Sequence, residues 1–488
     1  MRLDEILPDR LREGLTPAER QLLARVADGE EADFSAPDEG QNDPTQGAAW
    51  GPERTIRAAF LHWLCTDAQA AACVPPKGIR IRGARIEGPL DFEGARLLHR
   101  LSLIRCAIPE GILLTDARAR RIDLSGSYIR GLHADGLAVE GDLVLSGARL
   151  ENPNGDALVA DGMTVEGDVF LNREFHATGA VRLVGARVGG RLSCTGARLE
   201  NSNGNALNAD EMTVEGSVFL DQKFYAIGTV RLARARIQGA LVCTEARFEN
   251  PNGIALNLEH ARLGGIEDDE GSWPQRGRLR IDGLEYEGFA GDRTPTDARR
   301  RLEWLRRQLP DFRPQPYDQL ARVFRRMGRE ADAVEVLIAK QEDLIRHGKL
   351  SLWGRLARRI LGVTIGHGYR SGRALLWSLA FVIAGALIFG WANARGLMAP
   401  SSPEILTDPL YRAGGTIPPD YPRFQALAYS LDAFLPIVDL HQESFWLPDA
   451  GKPFGTLVRL YLWIHIAAGW FLSTLFVSGV TGLVRRLE

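Results

Sequence analysis

ENPNGDALVADGMTVEGDVFL, residues 151–171, is written almost unchanged as ENSNGNALNADEMTVEGSVFL at 200–220, and a third copy opens at Glu249 with ENPNGIALN. The interval is 49 residues each time. A fixed interval of this size marks a repeat architecture, in which one small unit stacks on the next. Inside it a shorter phrase recurs, an apolar residue, any residue, then glycine. It stands at Ile86-Glu87-Gly88, Val139-Glu140-Gly141, Val165-Glu166-Gly167, Val188-Gly189-Gly190 and Val214-Glu215-Gly216. It continues at Ile237-Gln238-Gly239, Leu263-Gly264-Gly265 and Tyr286-Glu287-Gly288. From Val139 onward the spacing alternates between 26 and 23 residues, so 49 residues are two turns.

Between the glycines, stretches such as GDLVLSGARL and GGRLSCTGARL alternate apolar and polar residues, which is strand periodicity. A strand-rich coil of this length cannot bury its own apolar face, and stacking the next coil on it does so. The expected fold is therefore mainly β, a parallel β-solenoid over residues 78–290. Eight to ten coils about 4.8 Å apart would span on the order of 40–50 Å. A β-sandwich, the rival arrangement, has no reason to hold a two-step glycine register. Gly141, Gly167, Gly190, Gly216, Gly239 and Gly265 are expected at corners that need a left-handed backbone. Asn152, Asn201 and Asn250 are expected to stack as a ladder of side-chain amides.

With 488 residues the chain has room for several domains, and its net charge of −3 shows no basic footprint for nucleic acid. The five cysteines, Cys65, Cys73, Cys106, Cys194 and Cys243, form no C-x-x-C and no Cys/His metal spacing. Cys194 and Cys243 lie one double turn apart on the inward register and read as buried thiols in a reducing compartment. No G-x-G-x-x-G opens a helix after a strand, and no haem attachment motif is present. Asp142 and Asp168 meet Arg191 and Ser217 at equivalent places in later coils, so the acidic ladder that a polysaccharide lyase would need is missing. No catalytic, cofactor or metal residue is expected, and the chain is not expected to be an enzyme.

Residues 1–77 read as a helical cap for the first coil. LTPAERQLLARVADG carries a capping box, with Thr16 before Pro17 and Glu19 three residues on. EEADFSAPDEGQNDPTQG reads as a flexible polar insert, and PERTIRAAFLHWLCTD as a helix with Ile56, Phe60 and Leu64 on one face. The opening MRLDEILPDRLREGL is charged and amphipathic, unlike a signal peptide. Residues 291–350 read as a helical adaptor. TDARRRLEWLRRQL is a basic amphipathic helix, and the hairpin after it turns near Gly328 like one tetratricopeptide-type unit, with Tyr317, Leu320 and Ala321 facing Ala331, Ala333 and Val334.

Residues 351–373 form a juxtamembrane basic helix, LWGRLARRILGV, and 374–488 a membrane module. Residues 374–394 and 460–484 are free of charge and long enough to cross the bilayer. Arg355, Arg358, Arg359, Arg370 and Arg373 precede the first crossing, and Arg485 and Arg486 follow the second. The segment between has only Arg412, Arg423 and Lys452, so both termini are expected in the cytoplasm, with that loop outside. Gly469 with Ser473, and Ser478 with Gly482, would let helices approach closely. Between the crossings, FQALAYSLDAFLPIVDLHQE is too short to span and reads as a re-entrant or interfacial helix. Helix, re-entrant helix, acidic turn, helix is the plan of two-crossing cation channels, although no TVGYG-like filter follows. In an oligomer Asp432, Asp439 and Glu443 would form a cation-attracting ring. His465, about one turn inside the second crossing, joins that pathway or bonds a neighbouring helix.

The GARL-type coils, YDQLARVFRRMGREADAVEVLIAKQ and GHGYRSGRALLW together resemble a group of bacterial membrane-anchored β-solenoid proteins related to pentapeptide-repeat proteins. Some of that group are labelled membrane-associated oxidoreductases. The resemblance implies a cytoplasmic solenoid tethered by a two-helix tail. The function expected is a membrane-anchored scaffold for protein interaction or assembly, its partners the lipid bilayer and a protein or another copy of itself. The alternative is an oligomeric ion channel gated through the solenoid.

Overall fold

The computed structural model describes residues 3–480 apart from 349, 371, 408, 415 and 416, so Gly482, Arg485 and Arg486 lie outside the described residues. The chain forms two compact units, Met1–Val336 and Leu337–Glu488.

The first unit is a parallel β-solenoid of about nine turns. Its inward column runs Leu97, Ala119, Val139, Val165, Val188, Val214, Ile237, Leu263, Tyr286, each paired in register with the next. Every member is at most 4% exposed. A second column, Ile129, Leu150, Ala177, Leu199, Ala226, Phe248, closes the other face. Burying each large aliphatic side chain contributes about 1.5–3 kcal/mol, so the stripes are the main hydrophobic driving force of this unit. The apolar-x-Gly phrase is thus the inward residue, one outward residue, and the start of a corner.

Those glycines are required for a different reason from the expected one. None of Gly141, Gly167, Gly190, Gly216, Gly239 and Gly265 has a left-handed backbone. Instead, backbone passes over backbone. Gly167 N donates to Gly141 O at 3.1 Å, Gly190 N to Gly167 O at 2.9 Å and Gly216 N to Gly190 O at 2.8 Å. A Cβ on Gly167, Gly190 or Gly216 would stand 2.9, 2.9 or 2.7 Å from the carbonyl oxygen below. Such a distance is not tolerated. Gly239 repeats the contact over Gly216, and one turn after that the register shifts, Gly265 pairs with Ala240, and Gly264 takes the place above the Gly239 carbonyl. Left-handed corners lie elsewhere, as in a column that mixes glycine with longer residues: Gly147, Arg173, Gly196, Gln222 and Glu245, with φ of 67°, 52°, 68°, 47° and 62°.

The amide ladder is also corrected. Asn152, Asn201 and Asn250 belong to every second coil, and two coil spacings, about 9.6 Å, exceed the reach of an amide–amide hydrogen bond. Each side chain instead closes its own NPNG-type loop. Asn152 Nδ2 donates to Asp156 O at 3.0 Å, Asn201 Nδ2 to Asn205 O at 3.0 Å and Asn250 Nδ2 to Ile254 O at 2.8 Å.

At the N-terminal side, Thr16 and Glu19 form the capping box of helix Pro17–Ala27. Glu19 is fully buried and also receives Arg57 Nε and Nη2, both at 2.8 Å. The segment read as a flexible insert is ordered. Ala32–Asp33 pairs with Ile81–Arg82, and two short 3-10 helices follow, Glu39–Asn42 and Pro44–Ala49. Asp38 and Asp43 cap them through Gly40 N and Thr45 N, so acidic residues that suggested disorder are turn-forming caps. Thr55–Arg57, read as helix, is a strand paired with Arg85–Glu87, and the helix is Ala58–Thr66.

After the last coil come helices Ala298–Leu305, Gln315–Arg326 and Glu330–His347. In the hairpin Tyr317, Leu320, Ala321 and Ala333 are buried, whereas Ala331 is exposed and Val336 takes the inner face. All five cysteines are thiols, and burial pushes Cys106 and Cys194 up to about 12.

The second unit holds the basic helix Leu352–Ile365, the one expected to lie beside a membrane, capped by Ser351, and two longer apolar helices, Gly372–Ala394 and Gly455–Val480. The two apolar helices are long and apolar enough to cross a membrane. Between them lie an antiparallel strand pair, Met398–Pro400 with Trp446–Pro448, and the short helix Ala426–Phe434.

Candidate functional site

An open solenoid end exposes unpaired backbone groups and invites another chain to add a strand. Both ends here are occupied. At the start, the strands Ala32–Asp33 and Thr55–Arg57 pair with the first coil under the Pro17–Ala27 and Ala58–Thr66 helices. At the finish, side chains of helix Gln315–Arg326 take over the pairing. Gly283 N donates to Gln315 Oε1 at 2.9 Å, Gln315 Nε2 to Leu284 O at 3.0 Å, and Gln319 Nε2 to Tyr286 O at 2.6 Å. Arg307 O accepts from Gly277 N at 2.9 Å. The face of the hairpin that a tetratricopeptide-type unit would offer to a peptide is spent on this seal.

The helix before the sealing one, Ala298–Leu305, is anchored by a buried ion pair that the pattern of arginines did not reveal. Arg301 is 0% exposed. Its Nη1 and Nη2 donate to Asp268 at 2.9 and 2.7 Å, its Nε donates to Pro295 O at 2.7 Å, and its guanidinium lies 3.9 Å from the Phe289 ring centre. A planar fork whose three nitrogens each donate a hydrogen bond suits arginine at such a depth. TDARRRLEWLRRQL reads as a basic amphipathic helix, and its residues do not say which of its five arginines turns inward.

With the ends sealed, the coil surfaces left to a partner are the flanks, and these carry ion pairs at the 49-residue interval. Arg182 pairs with Asp161, Arg231 with Asp210 at 2.9 Å through Nε, and Arg280 with Glu259 at 3.5 Å. The column that begins with Asp142 is structural too. Its side chains accept a backbone N–H from the next coil, Asp168 N to Asp142 at 3.1 Å, Arg191 N to Asp168 at 2.9 Å and Ala240 N to Ser217 Oγ at 3.1 Å. Among the described residues no group of three or more His, Cys, Asp or Glu side chains is arranged to hold a metal ion.

In the second unit the short helix Ala426–Phe434 is a wedge between the two apolar helices. Ser430 Oγ donates to Val382 O at 2.8 Å, and His465 Nε2 lies 3.0 Å from Ser430 O. A carbonyl oxygen only accepts, so Nε2 carries a hydrogen. Val382 follows Gly372 by ten residues and His465 follows Gly455 by ten, so Ser430 stands near the middle of both apolar helices. His465 is therefore deep in its helix rather than one turn from its end, because the helix begins before Arg459. It is 0% exposed and ringed by Phe389, Phe434 and Tyr461 at 5.6, 5.2 and 5.6 Å between ring centres. Two glycines make room. A Cβ on Gly385 would strike Ser430 Oγ, and one on Gly469 would strike the Phe434 carbonyl. Gly469 thus receives the short helix, not the other long one.

The acidic residues of the connecting turn part company. Asp432 is 8% exposed and accepts from Leu440 N at 2.6 Å and Glu443 N at 2.9 Å, which folds the chain back after the wedge. Asp439 is exposed, and the backbone N–H of His441, at 2.8 Å, holds its carboxyl below the usual range. Burial, helped by the Asp432 and Asp439 charges, pushes Glu443 up. Asp432 and Glu443 are brought together, while His465 lies on the opposite, aromatic side of the wedge. The turn between, Leu435 to Leu440, is largely uncovered, with Ile437 92% exposed. Ser430 and Gly385 were not singled out from the sequence. The signal was present as one serine inside the largely apolar run ALAYSLDAF. In comparison with known proteins the chain matches no family model, no curated protein and no solved structure.

Proposed function

We propose that this protein is a membrane-anchored scaffold whose cytoplasmic solenoid recruits a protein partner along its flanks, at a bacterial inner membrane crossed twice, with both termini cytoplasmic. The observation that carries the reading is the closure of both solenoid ends in a chain that also holds two membrane-length apolar helices. Closed ends disfavour growth by strand addition and leave the regular flanks as the recruiting surface. The basic residues before the first apolar helix support the orientation. The motif resemblance to bacterial membrane-anchored solenoids points the same way. The test is a photo-crosslinking residue placed at Arg149, Arg198 or Arg247 on one flank, in membranes. A discrete crosslinked protein is expected from these positions. A folded, membrane-integrated protein that yields no adduct from any flank would refute the scaffold.

A second reading, an oligomeric channel, is favoured by the wedge alone. Its C-terminal end, the negative pole of its dipole, reaches the middle of both apolar helices, and the uncovered turn that follows would face a symmetry axis. Liposomes carrying the protein would then pass cations, and Asp439→Asn would change their selectivity. Silent bilayers from an intact oligomer end that reading.

A further inference from the structure

An apolar groove of about 430 Å³ opens within the second unit, where the juxtamembrane helix meets the two long apolar helices. Its walls are Ile360 and Val363 from the first, Trp377 and Phe381 from the second, and Phe471 from the third, with Arg359 at the rim. Its size falls in the range of about 300–1,000 Å³ typical of small-ligand pockets. The Trp377 indole N–H donates to Val363 O at 3.3 Å and ties the wall of the groove to the juxtamembrane helix.

The charge around the groove is one-sided. No acidic residue occurs between Asp343 and Glu404, a stretch that contains Arg355, Arg358, Arg359, Arg370 and Arg373. Arg358 is engaged with Gln341 at 2.6 Å, but Arg355 and Arg359, one helical turn apart, are exposed and have no ion-pair partner among the described residues. The juxtamembrane helix also leaves Leu352, Trp353 and Leu356 uncovered. A greasy slot with cations only at its mouth is complementary to a molecule that is apolar along its length and anionic at its end.

We propose that this groove is a binding site for one anionic phospholipid, with an acyl chain along Ile360, Trp377 and Phe471 and the headgroup phosphate on Arg359 and Arg355. The proposal rests on the reading that the two apolar helices cross the bilayer. An arginine fork matches phosphate oxygens in a way that a zwitterionic headgroup, carrying its own cation, does not reward equally.

The test uses the full chain, extracted in mild detergent and offered equal amounts of phosphatidylglycerol and phosphatidylcholine, with retained lipid counted by native mass spectrometry. The wild-type protein is expected to keep one phosphatidylglycerol in preference to phosphatidylcholine. Arg355→Ala with Arg359→Ala should reduce that preference by about tenfold or more. Ile360→Trp, which fills the slot, should lose retention of both lipids. Equal retention of the two lipids by the wild-type protein, or variants that behave as wild type, overturns the site. Alkaline carbonate extraction of membranes separates the two levels of inference. Protein that stays in the membrane but shows no lipid preference removes the site alone, whereas protein released by carbonate removes the membrane reading and the site with it.

Discussion

The coils and the apolar unit meet the same demand, backbone laid against backbone with no side chain between, in opposite styles. In the solenoid Gly167, Gly190 and Gly216 repeat one contact, each over the carbonyl of the turn below. In the apolar unit Gly469 makes such a contact once, against the Phe434 carbonyl. Repetition spreads the load, because neighbouring coils still hold when one contact fails. A single contact has no deputy. Arg301 belongs with the single contacts, although it lies in the first unit.

If single contacts carry the non-repeating parts, removing one should cost most. Arg301→Ala leaves the Asp268 carboxylate buried without its cation, still held by the Trp273 indole N–H at 2.8 Å, and should destabilise the first unit by about 3–5 kcal/mol, read from its denaturant midpoint. Restoring neutrality with Asp268→Asn in the same chain should recover part of that loss, and a cycle with no coupling would break the distinction. Gly469→Leu should displace the wedge and expose residues 424–445 to protease, with the melting of the first unit unchanged. Gly190→Val, one of many equal contacts, should cost about 1–3 kcal/mol by overpacking and leave the other coils protected from hydrogen exchange. Asn201→Ala should cost about 0.5–1.5 kcal/mol, the loss of one loop-closing hydrogen bond, and Asn152→Ala the same. Effects that differed greatly between those two copies would show that the repeats are not equivalent. Arg182→Gln on a flank should change stability by less than about 1 kcal/mol, since its guanidinium is substantially exposed.

The same contrast explains what could be read without coordinates. The inward column was legible from Val139 to Tyr286 because seven members repeat the same demand, whereas Leu97 and Ala119 lack the apolar-x-Gly phrase and Ile86, which has it, belongs to the other sheet. Where the demand arises once, the residue type was visible but its partner was not. Six arginines between Arg299 and Arg313 look alike until one is buried. Gly469 looked like a seat for a long helix and is a seat for a short one. Ser430 was one serine in a largely apolar run, and only its distance to Val382 and His465 gives it a role. The insert after Glu30 misled because aspartates that cap turns have the composition of a disordered loop. The glycine column was placed correctly for the wrong reason, since spacing reports that a side chain is forbidden but not whether torsion or space forbids it.

The amino-acid order by itself determined the period, the inward stripe, the two apolar segments and the short apolar run between them, because each is a pattern of hydrophobicity that must be buried in one way. Tertiary structure alone decided that Gln315 and Gln319 seal the last coil, that Arg301 turns inward and that the short helix enters between the long ones. Those outcomes depend on which polar group finds a partner across more than twenty residues of intervening chain, and a linear pattern carries no record of that meeting.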